Sequence, residues 1–440
     1  MVRALDRRNA SERLRLANGS ALLATSILFL WLAATIWPQV SCSRDQSGPP
    51  EQPRWLGRRT TRDGVEYVQN PAQPLFGTQH LEAVERWRLL AEDSTGTLRF
   101  GQISGAVMAS DSTFYFSDYS LGCVHVVSWK GQYLGRIGRK GEGPGELLGP
   151  AVLFEAAPGT LAVLDGSPWI TLFSTEGNWN GRWHPQMPAG HWISITRAAR
   201  TPGGGFTLAF SHVYASEQTG FINQEMALFD RAGEHVATLT ANTIEVHRDE
   251  PYVVQEELYF DIIGPAVGAD GLIYFSPDFT GYTMVAATPE GRRVRIISRD
   301  YERLARTPEE MEEARQRIRA SAKRADRIDV CKYHRDICGI DAVGTELWVS
   351  SSRGSLIPPP GCPASYDVFD SLGRYIRQVA IHGEGDPKTD FFLVLAPGVF
   401  IRTGVVALGS TSQTAGTPGP PSEREGIPAI FCYELRPREQ

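Results

Sequence analysis

The segment Val124-His-Val-Val-Ser-Trp-Lys-Gly131 combines β-branched and aromatic residues, which favour a pleated strand, with a glycine that favours a turn. Four further segments share this pattern and end in a glycine at the equivalent position: Ile170–Gly177, Met226–Gly233, Thr283–Gly291 and Tyr366–Gly373. Another apolar run lies upstream of each segment: Phe114–Ser117, Leu161–Leu164, Phe206–Phe210, Leu272–Phe275 and Leu347–Ser350. The repeated feature is therefore a strand hairpin that closes at its glycine.

The spacing of these glycines predicts the fold. They are separated by 46, 56, 58 and 82 residues, and a repeat near 45 residues with loop insertions is typical of four-stranded propeller blades. A degenerate sixth copy joins Val399–Ile401 to Ala429–Glu434. We therefore predict an all-β chain, a six-bladed β-propeller with four-stranded antiparallel blades and one inserted helix. Because few residues follow Leu435, we expect Ala83–Leu90 to supply the outer strand of the last blade.

A second repeat strengthens this prediction. Gly141-Glu-Gly-Pro144 begins ten residues after one turn glycine, and Gly383-Glu-Gly-Asp-Pro387 begins ten residues after another. The first copy belongs to the motif Arg136-Ile-Gly-Arg-Lys-Gly-Glu-Gly-Pro-Gly-Glu146, which follows the strand Tyr115-Phe-Ser-Asp118. Two copies of one loop in one register indicate internal duplication.

This motif resembles that of the bacterial exported six-bladed β-propeller proteins related to NHL repeats. Asn70-Pro-Ala-Gln-Pro-Leu-Phe-Gly77 is similar to the lead-in that precedes their first blade. The resemblance covers about Val65 to Leu435. It implies the propeller fold but no particular activity, because one fold hosts many functions.

Residues 1–42 have the features of a signal peptide or a membrane anchor. Five arginines precede the uncharged stretch Ala21–Trp37, whose length lies between that of a secretory signal and that of a membrane span. The positive-inside rule places the chain after Pro38 outside the cytoplasm. Val40-Ser-Cys42 is similar to the end of a lipoprotein signal, which makes Cys42 a lipidation candidate. An uncleaved anchor helix and simple cleavage are the alternatives, and we expect a membrane-anchored chain in the periplasm or at the cell surface.

Composition also divides the rest of the chain. Residues 43–64 are rich in Pro, Gly, Arg and Asp and predict a flexible linker, which leaves 65–440 for the propeller. Thr307-Pro-Glu-Glu310 is a capping-box start for a helix that should reach about Arg327, within an insertion over about 302–328. Residues 409–428 are rich in Ser, Thr, Gly and Pro and predict a mobile loop.

Net charge restricts the partners. The chain has 440 residues, of which 42% are hydrophobic, so it can bury a large core. Residues beyond 42 carry 39 basic and 48 acidic side chains, a net charge of −9. Phosphate binding requires clustered Lys and Arg. We therefore expect nucleic acid and anionic lipid surfaces to be poor partners for the exported part.

The cysteines at 42, 123, 331, 338, 362 and 432 fit an oxidising compartment, and Cys331 with Cys338 is the most local disulfide candidate. Together with His334 they could instead supply three metal ligands. Their spacing does not match the two-residue spacing of structural zinc sites, and a fourth ligand is missing. We expect a disulfide or free thiols, with no metal site and no cofactor.

Asp118 and Asp165 end the second strand of successive blades. Such carboxylates could bind Ca²⁺ at a channel mouth, but their repetition favours a turn that each carboxylate caps. His184 and His191 share a Pro-rich connection with tryptophans, which favours surface packing over a metal site. If a ligand binds, the loops after the second strands should line its site, and the candidates are Asp118, Asp165, His212, Asp278 and Arg353.

Catalytic motifs are missing from the sequence. It contains neither H-E-x-x-H nor G-x-S-x-G, and Gly141–Glu146 lacks the third glycine and the helix of a dinucleotide loop. We assign no catalytic residue. The main hypothesis is an extracytoplasmic, membrane-tethered binding or scaffold protein whose ligand is a protein, peptide or carbohydrate. The alternative is an enzyme at the channel mouth, of the metal-dependent lactonase or the lyase type.

Overall fold

The computed structural model describes residues 53–92, 99–188, 191–215, 219–247, 250–259, 262–406 and 427–438. Over these ranges the chain is mostly β-structure. The predictions for residues 1–42, with Cys42, and for most of the loop at 409–428 lie outside the described residues. Among the described residues, no helix is long and apolar enough to cross a membrane.

Strands β1 (Arg58–Arg62), β2 (Val65–Asn70) and β3 (Thr78–Leu90) precede the repeats, and three antiparallel units of four strands follow. Unit 1 contains β4 (Ile103–Met108), β5 (Phe114–Asp118), β6 (Cys123–Val127) and β7 (Tyr133–Ile137), and its exit loop contains the short parallel pair β8 (Arg139–Lys140) and β9 (Glu146–Leu147). Unit 2 contains β10 (Val152–Ala157), β11 (Thr160–Leu164), β12 (Ile170–Ser174) and β13 (Trp179–Trp183). Unit 3 contains the longer strands β14 (Trp192–Arg200), β15 (Phe206–Ala215), β16 (Thr219–Phe229) and β17 (His235–His247).

Three further units complete the chain. Strand β18 (Val253–Gln255) and helix α1 (Glu256–Tyr259) lead to unit 4, which contains β19 (Ile263–Val267), β20 (Ile273–Ser276), β21 (Thr283–Ala287) and β22 (Arg293–Arg299). Helix α2 (Pro308–Ser321) and β23 (Arg327–Asp329) then precede unit 5, which contains β24 (Ile337–Val343), β25 (Glu346–Ser351), α3 (Ser352–Leu356), β26 (Ala364–Phe369) and β27 (Tyr375–His382). Unit 6 contains β28 (Phe391–Ala396), β29 (Val399–Val406) and β30 (Ile427–Pro437), with β3 as its fourth strand.

The first strands of the six units form a closed ring. Each packs against the first strand of the next unit, from β4 through β10, β14, β19 and β24 to β28, and β28 packs against β4. A separate apolar cluster lies between each pair of neighbouring units, including units 6 and 1. Both faces of each short sheet are therefore buried, which stabilises strands of about five residues. The fold is all-β and propeller-like.

Strand β3 closes the ring. Its second half pairs antiparallel with β30, from Ala83 opposite Leu435 to Leu90 opposite Ala429, as the sequence predicts for Ala83–Leu90. Its first half pairs parallel with β27 and so joins units 5 and 6 into one eight-stranded sheet. Upstream, β2 pairs parallel with β22 of unit 4, and β1 lies outside β2. We call β1–β3 the N-terminal strap, because it connects three consecutive units.

The strap changes one predicted boundary. Arg58–Arg62 belongs to the segment 43–64 that the sequence assigns to a linker, but it forms the edge strand β1. The reason is an anchor just upstream: Trp55 packs against the apolar cluster between units 4 and 5, and its indole N–H donates to Oδ1 of Asn70 at 3.0 Å. The packing and hydrogen bond of one tryptophan thus order a segment whose composition is typical of a flexible linker.

The inserted helix begins where the sequence predicts and ends earlier. The side chain of Thr307 accepts from the backbone N–H of Glu310, and the carboxylate of Glu310 accepts from the backbone N–H of Thr307. Helix α2 ends at Ser321 instead of reaching Arg327, because the chain turns there into β23, which pairs parallel with β18. The predicted helical insertion is therefore a mixed helix and strand segment.

Asn70 connects the strap to two units, and it provides a stability test. Its buried amide donates to the carbonyls of Ser298 at 3.1 Å and Gly373 at 2.9 Å, while its Oδ1 accepts from Trp55 and from the backbone N–H of Tyr375. Asn70→Ala leaves these partners without hydrogen bonds, and we expect a loss of about 2–4 kcal/mol in the free energy of unfolding, measured in urea.

Gln69→Ala is the matched control, because Gln69 is the exposed neighbour on the same strand. Its free energy of unfolding should change by less than about 0.5 kcal/mol. Equal effects of the two substitutions would contradict the role assigned to the Asn70 amide.

Candidate functional site

The loops that enter each first strand and the loops that leave each second strand lie at the same end of the ring, because these two strands are antiparallel. We call this end the loop face. The two longest connections between described units also enter first strands: one contains β18 and α1, and the other contains α2 and β23. The candidate residues from the sequence are therefore best compared at this face.

Asp118 and Asp165 fasten the end of a second strand to the segment that enters the same unit. Oδ2 of Asp118 accepts from the N–H of Gly101 at 2.6 Å, and Oδ2 of Asp165 accepts from the N–H of Leu148 at 3.1 Å. Burial alone would raise the pKa of Asp118, but hydrogen bonds from His125 and from two backbone N–H groups lower it below its usual value. These contacts are those of a capped turn.

Asp278 and Arg353 lie beside the segment that enters unit 5. Nε of Arg353 donates to the carbonyl of Glu302 at 2.6 Å, and its guanidinium pairs with the Glu302 carboxylate at 3.0 Å. Partial desolvation by its neighbours raises the pKa of Asp278, although its side chain remains accessible to solvent. The positive charge of nearby Arg335 acts in the opposite direction. Within the described residues, no hydrogen bond or ion pair joins any two of the five predicted candidates, so they do not form one cluster.

His212 has the surroundings of a binding site. It lies within β15 and not in a loop, because β15, with 10 residues, is longer than the second strand of any other unit. Its Nε2 lies 2.8 Å from Oε1 of Glu225, and its Nδ1 lies 2.8 Å from Nδ1 of His191. A carboxylate only accepts, so the neutral His212 donates from Nε2 and accepts at Nδ1. His191 then donates from Nδ1, which makes its Nε2 a hydrogen-bond acceptor.

Aromatic rings surround this hydrogen-bonded chain. The ring of His191 stacks on Tyr214 with centroids 4.6 Å apart, and Tyr214 stacks on Phe221 at 4.9 Å. The strand register explains the grouping, because His212 lies opposite Asn223 and Tyr214 lies opposite Phe221 on one face of the β15–β16 pair. We call the following set the unit 3 patch: His191, His212, Tyr214, Phe221, Asn223 and Glu225.

The polar atoms of the patch are mainly acceptors. Oδ1 of Asn223 is buried and has no hydrogen-bond partner among the described residues. Nε2 of His191 accepts by virtue of its tautomer, and the carboxylate of Glu225 has a second oxygen beyond the one that faces His212. A buried acceptor without a partner is unfavourable unless a ligand or water donates to it. The patch is therefore suited to a ligand that carries several O–H or N–H groups.

The sequence identifies only part of this patch. His212 is among its candidates, whereas His191 is grouped there with His184, which instead lies with its ring 5.5 Å from that of Trp169. The other four residues of the patch are missed: Tyr214, Phe221, Asn223 and Glu225. A usable signal exists in the alternation His212-x-Tyr214 and Asn223-x-Glu225, which places chemically active side chains on one face of paired strands.

Two charged side chains on the first strands lie nearer the axis of the ring. Arg197 is on β14 and Asp341 is on β24. Burial raises the pKa of Asp341 to about 6, although the positive charge of Arg197 acts in the opposite direction. Asp341 therefore changes its charge close to neutral pH.

Cys331 and Cys338, the candidate disulfide pair, are both free thiols, which is the second of the two states that the sequence predicts. Sγ of Cys331 donates to Oε1 of Glu257 on α1 at 3.1 Å, whereas Cys338 lies in a β-bulge at the start of β24. Strand β24 holds Cys338, and the contact with Glu257 holds Cys331 beside α1. Within the described ranges, no group of three His, Cys, Asp or Glu side chains could hold a metal ion.

Comparisons with known proteins add little to this geometry. No protein-family model matches the chain, and no curated protein is similar to it in sequence. Among solved structures, a Bacteroides fragilis protein described as an exported protein has a TM-score of 0.44 at 10% identity. The match covers 82% of this chain and 100% of that one. A DUF4221 family member from Bacteroides vulgatus has a TM-score of 0.42 at 12% identity, covering 81% and 99% of the two chains.

Virginiamycin B lyase from Staphylococcus aureus has a TM-score of 0.38 at 9% identity, and the match covers 79% of this chain and 98% of the lyase. All three TM-scores are below 0.5. The description of the fold therefore rests on the strand pairing of this chain, and no activity is transferred from these proteins.

The raised pKa of Asp341 predicts a pH-dependent stability. Its folded-state pKa of about 6 exceeds the value near 4 expected for the unfolded chain, so the folded state binds the proton more tightly between these values. The contribution of this group to stability is present below pH 4 and is lost as pH rises through 6. Asp341→Asn cannot ionise, so its stability relative to the unsubstituted protein should increase from pH 4 to pH 7 in urea unfolding. A difference that does not vary with pH would contradict this assignment.

Proposed function

We propose that this chain is an extracytoplasmic, membrane-tethered binding protein, built as a six-bladed β-propeller with the unit 3 patch as its ligand site. Six four-stranded units, closed by β3, support the number of blades. The apolar stretch Ala21–Trp37 and the signal-like Cys42 support export and tethering. The binding proposal depends on one observation, the chain of hydrogen bonds from Glu225 through His212 to His191.

A carbohydrate is the ligand class that best fits the patch. Its acceptors come from neighbouring strands, and opposite side chains in a β-sheet lie about 5 Å apart. The hydroxyl groups of a sugar donate at several points, which matches acceptors that are spread over more than one strand. Small-molecule sites combine aromatic walls with a few placed polar groups, and Tyr214 and Phe221 provide the walls here.

The proposal is tested with a glycan microarray, probed with the purified full chain in a detergent that has no sugar headgroup. The glycan retained most strongly is then titrated by calorimetry. We expect His191→Ala and Asn223→Ala each to weaken binding at least tenfold, which corresponds to about 1.4 kcal/mol, because each removes one acceptor from the patch.

His235→Ala is the matched control, since His235 belongs to the same unit but is exposed at the hairpin-turn end of β17. Its affinity should equal that of the unsubstituted chain. Binding that is insensitive to His191→Ala would place the ligand elsewhere. Retention on a peptide array, with none on the glycan array, would show that the ligand class is wrong.

An enzyme of the lyase type is the second candidate, and the same hydrogen-bonded chain favours it. A histidine whose tautomer is fixed by a second histidine and a carboxylate can accept a proton at Nε2. The lactonase alternative lacks this support, because the described residues contain no metal-binding group of three side chains. Mass spectrometry of the bound glycan after prolonged incubation separates the candidates: an unchanged glycan supports a binding protein, and a cleaved one supports an enzyme.

A further inference from the structure

The outer edge of unit 4 is formed by the N-terminal strap. Strand β1 pairs with β2 on one side, and its other edge has no partner strand among the described residues. Arg58 and Arg62 are exposed at the two ends of β1, and Arg54 is exposed just upstream. Leu56 lies between these arginines and has 80% of its side chain exposed. Basic and apolar side chains thus lie together on one edge.

The positive charge at this edge is not neutralised locally. Glu66 on β2 is shared by Arg59 at 3.2 Å and Arg295 at 2.6 Å, so its single negative charge faces two guanidinium groups. Arg54, Arg58 and Arg62 form no ion pair within the described residues. Asp63, in the turn between β1 and β2, is the nearest further carboxylate in the sequence. The edge therefore carries a net positive charge although the exported chain as a whole is acidic.

The position of this edge along the chain is equally important. The predicted lipidation site Cys42 lies only twelve residues before Arg54. Twelve residues span at most about 40 Å when fully extended. A chain lipidated at Cys42 therefore keeps Arg54 within about 40 Å of its anchor.

We propose that the segment Arg54–Arg62 is a membrane-facing surface that docks on anionic phospholipid headgroups, with Leu56 in contact with the interfacial region. This inference rests on the tethering in the proposed function. Basic side chains near a membrane are attracted to anionic lipid, and an apolar neighbour adds contact with the bilayer surface. Docking would orient the ring by fixing unit 4 toward the membrane and unit 1, three units away around the ring, away from it.

Hydrogen exchange on the full chain tests this orientation. The chain is reconstituted in vesicles of phosphatidylcholine alone or of phosphatidylcholine with 30% phosphatidylglycerol, and exchange is followed by mass spectrometry. We expect amide exchange in residues 53–62 to slow at least threefold on the anionic vesicles, and this protection should decrease at high salt. Strand β7, the outer strand of unit 1, should exchange equally on both kinds of vesicle.

Two charge-matched variants identify the cause. The triple substitution Arg54→Gln, Arg58→Gln and Arg62→Gln should abolish the lipid-dependent protection. The triple substitution Lys130→Gln, Arg136→Gln and Lys140→Gln removes three exposed cations from unit 1 and should leave it unchanged.

Sedimentation of the chain with the vesicles reports tethering separately. Sedimentation without protection of residues 53–62, or with protection of β7 instead, would overturn the docking surface and leave tethering intact. Failure to sediment with either kind of vesicle would overturn both. Glycan binding at the unit 3 patch is measured independently of each outcome.

Discussion

The hydrogen-bond ladder between β3 and β30 is the constraint on which the rest of the structure depends. It brings a strand from the start of the chain against one from its end and completes the sheet of unit 6. Because each unit buries its faces against its neighbours, an open ring would expose two apolar sheet faces at once. The closure therefore stabilises every unit, and the apolar cluster between units 6 and 1, with Trp87 and Phe114, is its packing counterpart.

The N-terminal strap extends this closure beyond one strand. The amide of Asn70 connects β2 to backbone groups of units 4 and 5, and Trp55 fixes the segment that precedes it. Completing the sheet of unit 6 requires only β3, so β1 and β2 are additional to the closure. The additional pairing leaves a basic edge strand, β1, beside the segment that leads to the predicted anchor, and so one structural device serves both ring stability and the proposed orientation at a membrane.

The candidate site arises where one repeat departs from the others. Unit 3 lengthens β15 and β16. The extension carries His212 and Tyr214 past the core residue Phe210, and Glu225 lies opposite Phe210 on β16. In units 1 and 2 the second strand ends at or just before an acidic residue, Asp118 or Asp165, whose carboxylate caps a turn. The repeated acids thus cap turns of the fold, and the proposed ligand site is assigned to the unrepeated histidine chain. This contrast is the physical basis for placing the ligand at unit 3.

The sequence by itself determined the hairpin strands, their glycines and the cap of α2, because each depends on local periodicity or on turn chemistry. It also indicated the closing role of Ala83–Leu90, which the pairing of β3 with β30 confirms. Tertiary structure alone decided the rest. His191 meets His212 across 21 positions, and Trp55 converts a linker composition into a strap. Cys331 and Cys338 remain apart although they are close in sequence. Such contacts depend on strand register and on packing between units, which no local pattern of residues specifies.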